Sequence, residues 1–164
     1  MRSGRHRRPT GFTRWPGRPV ILIDANLLLY AADTESPHHE PSRIWLENTL
    51  SSGRAVRFAV VTVLAFVRIA SDRRIFSRPL SPAEACSRVD EWLALPNVRL
   101  LQPGPNAWRL LGRMCQEGQA KGPMVMDAHL AALAMEHGAS IATTDRDFMR
   151  FPDIEVVNPA APNA

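Results

Sequence analysis

Short apolar runs alternate along the chain with longer segments of helical periodicity. Apolar runs bounded by turn residues are typical of buried strands. The predicted strands are residues 20–23, 57–61, 98–101, 140–143 and 154–157. The predicted helices are residues 25–32, 39–51, 62–70, 82–95, 105–116, 124–137 and 146–150. This alternation predicts a single α/β domain, with a central, mainly parallel sheet flanked by helices.

Local sequence signals mark several helix ends. Ser81-Pro82-Ala83-Glu84 is a capping box with proline at the first helical position, which predicts a helix start. Thr62 is expected to cap the helix that follows the second strand. Gly53, Gly118 and Gly138 are expected to end helices, because glycine readily adopts the left-handed conformation that often follows a helix.

The basic charge is concentrated before the first strand. The 164 residues carry a formal net charge of +4, and removing six N-terminal arginines leaves −2 (4 − 6). These six are Arg2, Arg5, Arg7, Arg8, Arg14 and Arg18. We expect residues 1–18 to form a basic, disordered extension, residues 19–159 a folded domain and residues 160–164 a tail. The extension either contacts nucleic acid or is vestigial.

No segment has the pattern of a membrane span or a signal peptide. The longest apolar stretch, Phe58–Val67, is too short to span a bilayer, and arginines flank it. The basic start continues into a polar sequence rather than an apolar export signal. Cys86 and Cys115 lie in no close-spaced metal or redox motif and are expected to be free thiols. These features predict a cytoplasmic protein.

The first predicted strand ends in a carboxylate. Val20–Ile23 is entirely apolar, and Asp24 follows it directly. A carboxylate removed from water needs hydrogen bonds, a counter-ion or a metal ion. In parallel α/β sheets, ligands bind beyond the carboxyl ends of the strands, where Asp24 is expected. The alternative is that Asp24 caps the next helix.

Two further aspartates are expected at the same edge of the sheet. Asp127 lies in the first turn of a predicted helix, and Asp145 follows a predicted strand. Each of these aspartates alone also fits a helix-capping or surface role. Taken together with Asp24, they are expected to converge at the carboxyl edge of the sheet. Their mutual repulsion is relieved by a cation, and oxygen ligands favour Mg²⁺ or Mn²⁺. Such a site suits metal-assisted hydrolysis of a phosphodiester.

Four neighbouring polar residues are candidates for supporting this site. Asn26 is expected to hydrogen-bond either a ligand or the Asp24 carboxylate. Thr143 or Thr144 is expected to hold a water molecule or a phosphate oxygen. Asp147 is a further candidate metal ligand, although a residue two positions after Asp145 also has room to point away.

Three ordered motifs resemble those of the PIN-domain ribonucleases. They are Ile23–Leu28, Asp127–Gly138 and Thr143–Phe148. Phe66–Ala70 and Arg150–Pro152 further resemble the mycobacterial-type VapC toxins of bacterial toxin–antitoxin operons. The resemblance covers about residues 19–159 and implies a PIN fold and Mg²⁺- or Mn²⁺-dependent endoribonuclease activity. It also implies a cognate VapB-type antitoxin, a homodimer and metal-site roles for Asp24, Asp127 and Asp145.

One departure from the family pattern lies in the helix after the second strand. Many PIN nucleases carry a glutamate there, whereas Thr62–Arg68 contains no acid. Asp147 is a candidate replacement. The departure keeps open a catalytically degenerate module that binds RNA or an antitoxin. A small-phosphoester hydrolase on an unrelated α/β fold is a third hypothesis.

Other positively charged and aromatic residues allow several interpretations. Arg68, Arg73 and Arg74 form a small cluster that contacts RNA phosphates, contacts an acidic patch on an antitoxin, or solvates a helix end. The tryptophans of the predicted helices lie at apolar positions, which predicts core packing rather than base stacking. These are Trp45, Trp92 and Trp108.

Overall fold

The computed structural model describes residues 20–159, so the predicted extension 1–18 and tail 160–164 lie outside the described residues. The strands are β1 (Val20–Ile23), β2 (Val56–Ala59), β3 (Val98–Leu101), β4 (Ala139–Ala142) and β5 (Val156–Val157). The helices are α1 (Ala25–Ala32), α2 (His39–Ser51), α3 (Val60–Ala70), α4 (Pro82–Leu93), α5 (Ala107–Glu117) and α6 (Met124–His137). A 3₁₀ helix, Arg146–Arg150, precedes β5.

The five strands form one sheet in the order β3-β2-β1-β4-β5, and every pairing is parallel. The predicted α/β class with a mainly parallel sheet is therefore confirmed. β1, the first strand of residues 20–159, lies at the centre, where Ile21 pairs with Val56 on one side and Ser140 on the other. This order brings the end of β1 beside the ends of β2 and β4.

Helices cover both faces of the sheet, as a parallel sheet requires. Side chains alternate between the two faces along β1: Leu22 packs with residues of α5 and α6, whereas Ile21 and Ile23 pack with residues of α1 to α4. All three side chains are fully buried. Within residues 20–159, no helix is both long and apolar enough to cross a membrane.

Several predicted helix ends are confirmed. Ser81 and Glu84 form a reciprocal capping box at the start of α4. Gly138 takes the left-handed conformation (φ 59°) after α6, and Gly53 does so (φ 70°) two residues after α2. At the end of α5, Gln119 rather than Gly118 has the positive φ, while Gly118 is buried against Phe151. Close packing therefore selects glycine at position 118.

Two sequence predictions are wrong. Thr62 does not cap α3, because the helix begins at Val60 with Ala59 at the cap position. Trp108 does not pack in the core, since 84% of its surface is exposed. Leu110 and Met114 form the buried stripe of α5 instead, and Trp108 lies two positions before Leu110, on another face of the helix.

Candidate active site

Asp24 links the central strand to the first helix. Its backbone N–H donates to the Ala142 carbonyl oxygen (3.0 Å), which extends the pairing of β1 and β4 by one residue. Its Oδ1 accepts from the backbone N–H of Ala25 (2.7 Å), so the side chain caps α1. The predicted capping role thus involves only Oδ1 of Asp24, and Oδ2 is available to a different partner.

That second partner is Thr143, directly after β4. The Thr143 hydroxyl donates to Asp24 Oδ2 (2.8 Å), and only 1% of the residue is exposed. Thr143 Oγ1 also accepts hydrogen bonds from Asn26 Nδ2 (2.9 Å) and from the backbone N–H of Asp145 (3.0 Å). Two candidate side chains and the backbone N–H of a third candidate residue therefore meet at a single hydroxyl.

This arrangement determines the orientation of the Asn26 amide. A hydroxyl has only one proton, and Thr143 donates it to Asp24. Asn26 must then approach with its NH₂ group, which leaves Asn26 Oδ1 buried and without a hydrogen-bond partner among the described residues. An unpaired buried acceptor requires an explanation, such as a bound water or cation.

Asp127 lies half-buried in the first turn of α6. Within residues 20–159, its carboxylate makes no hydrogen bond and no ion pair. Burial, followed by the negative charges of Asp24, Asp145 and Asp147, raises the pKa of Asp127 to about 6. The three other aspartates are therefore close enough for their charges to act on Asp127.

Burial also raises the pKa of Asp24. The hydrogen bonds from Thr143 and Ala25 oppose this effect, because they stabilise the ionised carboxylate. The charge of Asp145 raises the pKa further. The four aspartates thus form one acidic site at the carboxyl edge of the sheet.

Asp145 and Asp147 have local partners as well. Asp145 is exposed, and its Oδ1 accepts from the backbone N–H of Asp147 (2.8 Å), capping the 3₁₀ helix. Asp147 pairs with Arg150, with 3.2 Å between Oδ1 and Nε. Both carboxylates have remaining acceptor capacity, since each can accept several hydrogen bonds.

The donor set of this site suits a hard divalent cation. It consists of oxygen atoms only, burial and neighbouring negative charge raise two carboxyl pKa values, and the buried Asn26 Oδ1 has no hydrogen-bond partner among residues 20–159. In the described part of the chain, however, no three His, Cys, Asp or Glu side chains lie close enough together to hold one ion. Ligation of one ion by three carboxylates therefore requires side-chain movement from the observed positions.

Two of the predicted supporting residues are not joined to this network. Thr144 is half-buried and makes no side-chain hydrogen bond with another described residue. Arg68 is exposed in the last turn of α3, eight residues after the helix start, or roughly 12 Å along the axis. Arg68 thus lies away from the end of α3 that follows β2.

Sequence reasoning missed Thr62 as a buried polar residue near this edge. Thr62 lies in the first turn of α3, which follows β2, the neighbour of β1. It is 1% exposed, and its Oγ1 has no hydrogen-bond partner among residues 20–159. Its spacing of four from the fully buried Phe66 was the available signal, since i and i+4 share a helix face.

Residues 21–154 match the family model of the PIN domain, so the chain belongs to the PIN-domain family. Its relatives include Ribonuclease VapC37 of Mycobacterium tuberculosis, which is 45% identical over 140 residues, covering 85% of this chain and 97% of that protein. Ribonuclease VapC33 of the same organism is 36% identical over 141 residues, with 85% and 98% covered. Within the PIN family, the chain belongs with the VapC proteins.

Solved structures of low sequence identity share the fold. VapBC2 from Rickettsia felis, bound to a promoter DNA fragment, matches with a TM-score of 0.63 at 14% identity, covering 85% of this chain and 98% of that one. M. tuberculosis VapC20, described as a Sarcin-Ricin loop cleaving toxin, matches with a TM-score of 0.59 at 13% identity, covering 82% and 98%. These matches agree with the predicted PIN fold.

Proposed function

We propose that this protein is the toxin of a toxin–antitoxin pair and an endoribonuclease that hydrolyses RNA phosphodiester bonds with Mg²⁺ or Mn²⁺. The relatives named as VapC ribonucleases support the reaction class. The observation that carries the proposal is the acidic site, where the Asp24 and Asn26 side chains and the Asp145 N–H meet at the Thr143 hydroxyl. The charges of Asp24, Asp145 and Asp147 raise the pKa of Asp127 in the same site.

In this mechanism, Asp24, Asp127 and Asp145 hold the divalent ion, and Asp147 is a further candidate ligand. When bound, the ion supplies positive charge for the scissile phosphate and for activation of water. Thr143 positions the second oxygen of Asp24, while Ala25 N–H fixes the first. Asn26 Oδ1, which has no hydrogen-bond partner among residues 20–159, would provide an additional neutral oxygen ligand. Thr144 and Arg68 keep their proposed roles as weaker contacts to substrate.

The proposed partners are RNA, a cognate VapB-type antitoxin and a second copy of the chain. Structural neighbours that are VapBC proteins support an antitoxin partner, which we propose covers the site. We assign the protein to the cytoplasm, where its RNA substrate and its antitoxin are made.

The test uses antitoxin-free protein. Cleavage is measured on a mixed RNA pool, and Mn²⁺ binding is measured by titration calorimetry. We expect Mn²⁺-dependent RNA cleavage that EDTA abolishes. Asp24→Asn and Asp127→Asn should each remove cleavage and weaken Mn²⁺ binding while the circular dichroism spectrum stays unchanged. Asp90→Asn, an exposed aspartate on α4, is the matched control. Variants of Asp24 and Asp127 that cut RNA as well as the parent would refute the mechanism.

A second candidate is a binding module with a degenerate site. Two observations favour it: α3 carries no acid, and no preformed three-ligand cluster exists within residues 20–159. This candidate predicts RNA or antitoxin binding without new RNA ends in the presence of Mn²⁺. Metal-dependent cleavage products that disappear in Asp127→Asn eliminate it.

A further inference from the structure

Four exposed arginines follow one another at the end of α3 and in the next loop. They are Arg68, Arg73, Arg74 and Arg78, and residues 68–78 are called the arginine segment below. Its four arginines and the single acid Asp72 give it a formal charge of +3 (4 − 1). Residues 20–159 as a whole carry −2, with 14 basic and 16 acidic residues. The segment is therefore a basic surface on an acidic domain.

None of these arginines is paired with a carboxylate within residues 20–159, and Glu35, which accepts a hydrogen bond from Ser77, is the acid from another part of the fold that contacts the segment. None of the four side chains takes part in an ion pair or a hydrogen bond there. Six other arginines of the described chain behave differently: one group pairs with carboxylates, and another donates to backbone carbonyls, whereas Arg54, Arg109 and Arg146 also lack side-chain partners there. The first group is Arg43, Arg88, Arg113 and Arg150. The second is Arg57 and Arg99.

The backbone of the segment is ordered by specific contacts. The Asp72 side chain accepts from the Arg74 N–H (2.9 Å), and the Asp72 carbonyl accepts from the Phe76 N–H (3.0 Å). The buried Phe76 side chain anchors the loop in the core. The Leu80 N–H donates to the Ala70 carbonyl (2.9 Å), which closes the loop. Because the backbone of this loop is already ordered, binding a partner costs less conformational entropy than it would in a flexible loop.

We propose that the arginine segment, at the end of α3 away from the acidic site, binds the phosphate backbone of RNA that extends beyond the cleavage site. This inference rests on the proposed ribonuclease function. The acidic site repels a polyanion, so RNA binding needs positive charge elsewhere on the protein. Guanidinium groups suit this role, because they make bidentate hydrogen bonds to phosphate and do not lose their charge.

The length of α3 sets the scale of the contact. This helix of 11 residues follows β2 and leads into the arginine segment, so it spans roughly 16 Å. At about 3.4 Å per stacked nucleotide, this distance corresponds to about five nucleotides. RNA long enough to reach the segment should therefore depend on the arginines, whereas a trinucleotide should not.

The experiment compares two double variants in an Asp127→Asn background, which prevents cleavage. The test variant is Arg73→Gln/Arg74→Gln. The control is Arg54→Gln/Arg109→Gln, which removes the same charge from two arginines elsewhere that also lack side-chain partners within residues 20–159. Binding of labelled single-stranded RNA is measured by fluorescence anisotropy across a salt series. The probes are an RNA of about twelve nucleotides around a site that the parent cleaves and a trinucleotide from that site.

We expect the test variant to bind the longer RNA at least tenfold more weakly, with the control close to the parent. The slope of log K against log salt should fall by about 1.4, since each single-strand phosphate contact contributes about 0.7. Trinucleotide binding should be the same in all three proteins. Thermal unfolding of each variant verifies that the loop change leaves the fold intact.

Three results overturn the inference while leaving the ribonuclease function standing. One is equal RNA binding by the test variant and the parent, and another is equal weakening by both double variants. The third is unchanged RNA binding with lost affinity for the antitoxin, which assigns the segment to an acidic protein partner. A parent protein that neither binds nor cleaves RNA removes the proposed function itself.

Discussion

Thr143 Oγ1 donates a hydrogen bond of 2.8 Å to Asp24 Oδ2, across 119 positions of sequence. The bond joins the ends of two neighbouring parallel strands, β1 and β4. It stabilises the ionised form of a carboxylate whose pKa burial raises. The chemistry proposed for this site therefore depends on a neutral hydroxyl as well as on its acids.

Replacing Thr143 with valine should impair both folding and cleavage. The variant keeps the shape but leaves three polar groups without their partner, so we expect a loss of about 1–3 kcal/mol in unfolding free energy. Without its hydroxyl donor, the pKa of Asp24 should rise further. Urea titration and steady-state RNA cleavage measure the two effects, and kcat should fall more than KM rises. Thr143→Ser, which keeps the hydroxyl, should restore kcat; a parent-like kcat in the valine variant contradicts the positioning role.

The same substitution at Thr62 should have the opposite effect on stability. Thr62 and Thr143 are both 1% exposed, but Thr62 Oγ1 has no hydrogen-bond partner among the described residues. Replacing an unpaired buried hydroxyl with a methyl group removes a desolvation cost, so Thr62→Val should gain about 1 kcal/mol. Urea unfolding with an unchanged m-value tests this. A loss of stability instead indicates that a buried water satisfies the hydroxyl.

Asp127 should make stability depend on pH. Its pKa is raised from 3.8 to about 6 in the folded protein, so ionisation favours the unfolded chain. The contribution of Asp127 to the stability of metal-free protein should therefore be fully present below about pH 4 and be lost as the pH rises through about 6. Asp127→Asn removes this loss. Because the side chain is half-exposed, we expect a gain of about 1 kcal/mol at neutral pH after allowance for solvent screening.

The measurement for Asp127 is chemical unfolding in EDTA at several pH values. The difference between Asp127→Asn and the parent should shrink towards zero as the pH falls below about 4. Asp90→Asn controls for the loss of one charge on an exposed helix. A constant difference across the whole pH range is the result that contradicts this prediction.

Two glycines of the α5 region should respond oppositely to alanine. A Cβ at Gly112 meets no atom within 4 Å, whereas a Cβ at Gly118 would lie 2.6 Å from the Phe151 ring and 2.9 Å from the Met114 carbonyl oxygen. Gly112→Ala should stabilise the protein by about 1 kcal/mol through helix propensity. Gly118→Ala should destabilise it, because the buried ring and the backbone must move. Thermal unfolding of the pair tests both signs, and equal shifts are incompatible with the packing at Gly118.

The fold was predictable because its signals are local and mutually consistent. The apolar run at Val20–Ile23 and the capping box at Ser81 depend on few neighbours. The start of α3 was not predictable from such signals. Val60 and Val61 favour a strand and Thr62 favours a cap, yet the chain turns into the helix directly after Ala59. Tertiary packing outweighed local preference there.

The sequence predicts which residues form the acidic site, but it does not predict the hydrogen bonds that join them. Parallel topology alone places Asp24 and Asp145 at the ends of β1 and β4, and Asp127 at the start of α6. The central position of the Thr143 hydroxyl depends on the register between β1 and β4, which the sequence does not reveal. The exposure of Trp108 likewise depends on which face of α5 meets α6.

The central position of β1 has a consequence for the timing of synthesis. The strand made first lacks its β4 neighbour until residues 139–142 have been translated, and Thr143 is itself held by the β5 residue Val157. At about 5–20 residues per second, translation from Asp24 to Thr143 takes about 6–24 s. The nascent chain thus carries an incomplete acidic site throughout this interval. A ribosome making this protein is exposed to the assembled site only when almost the whole chain has emerged.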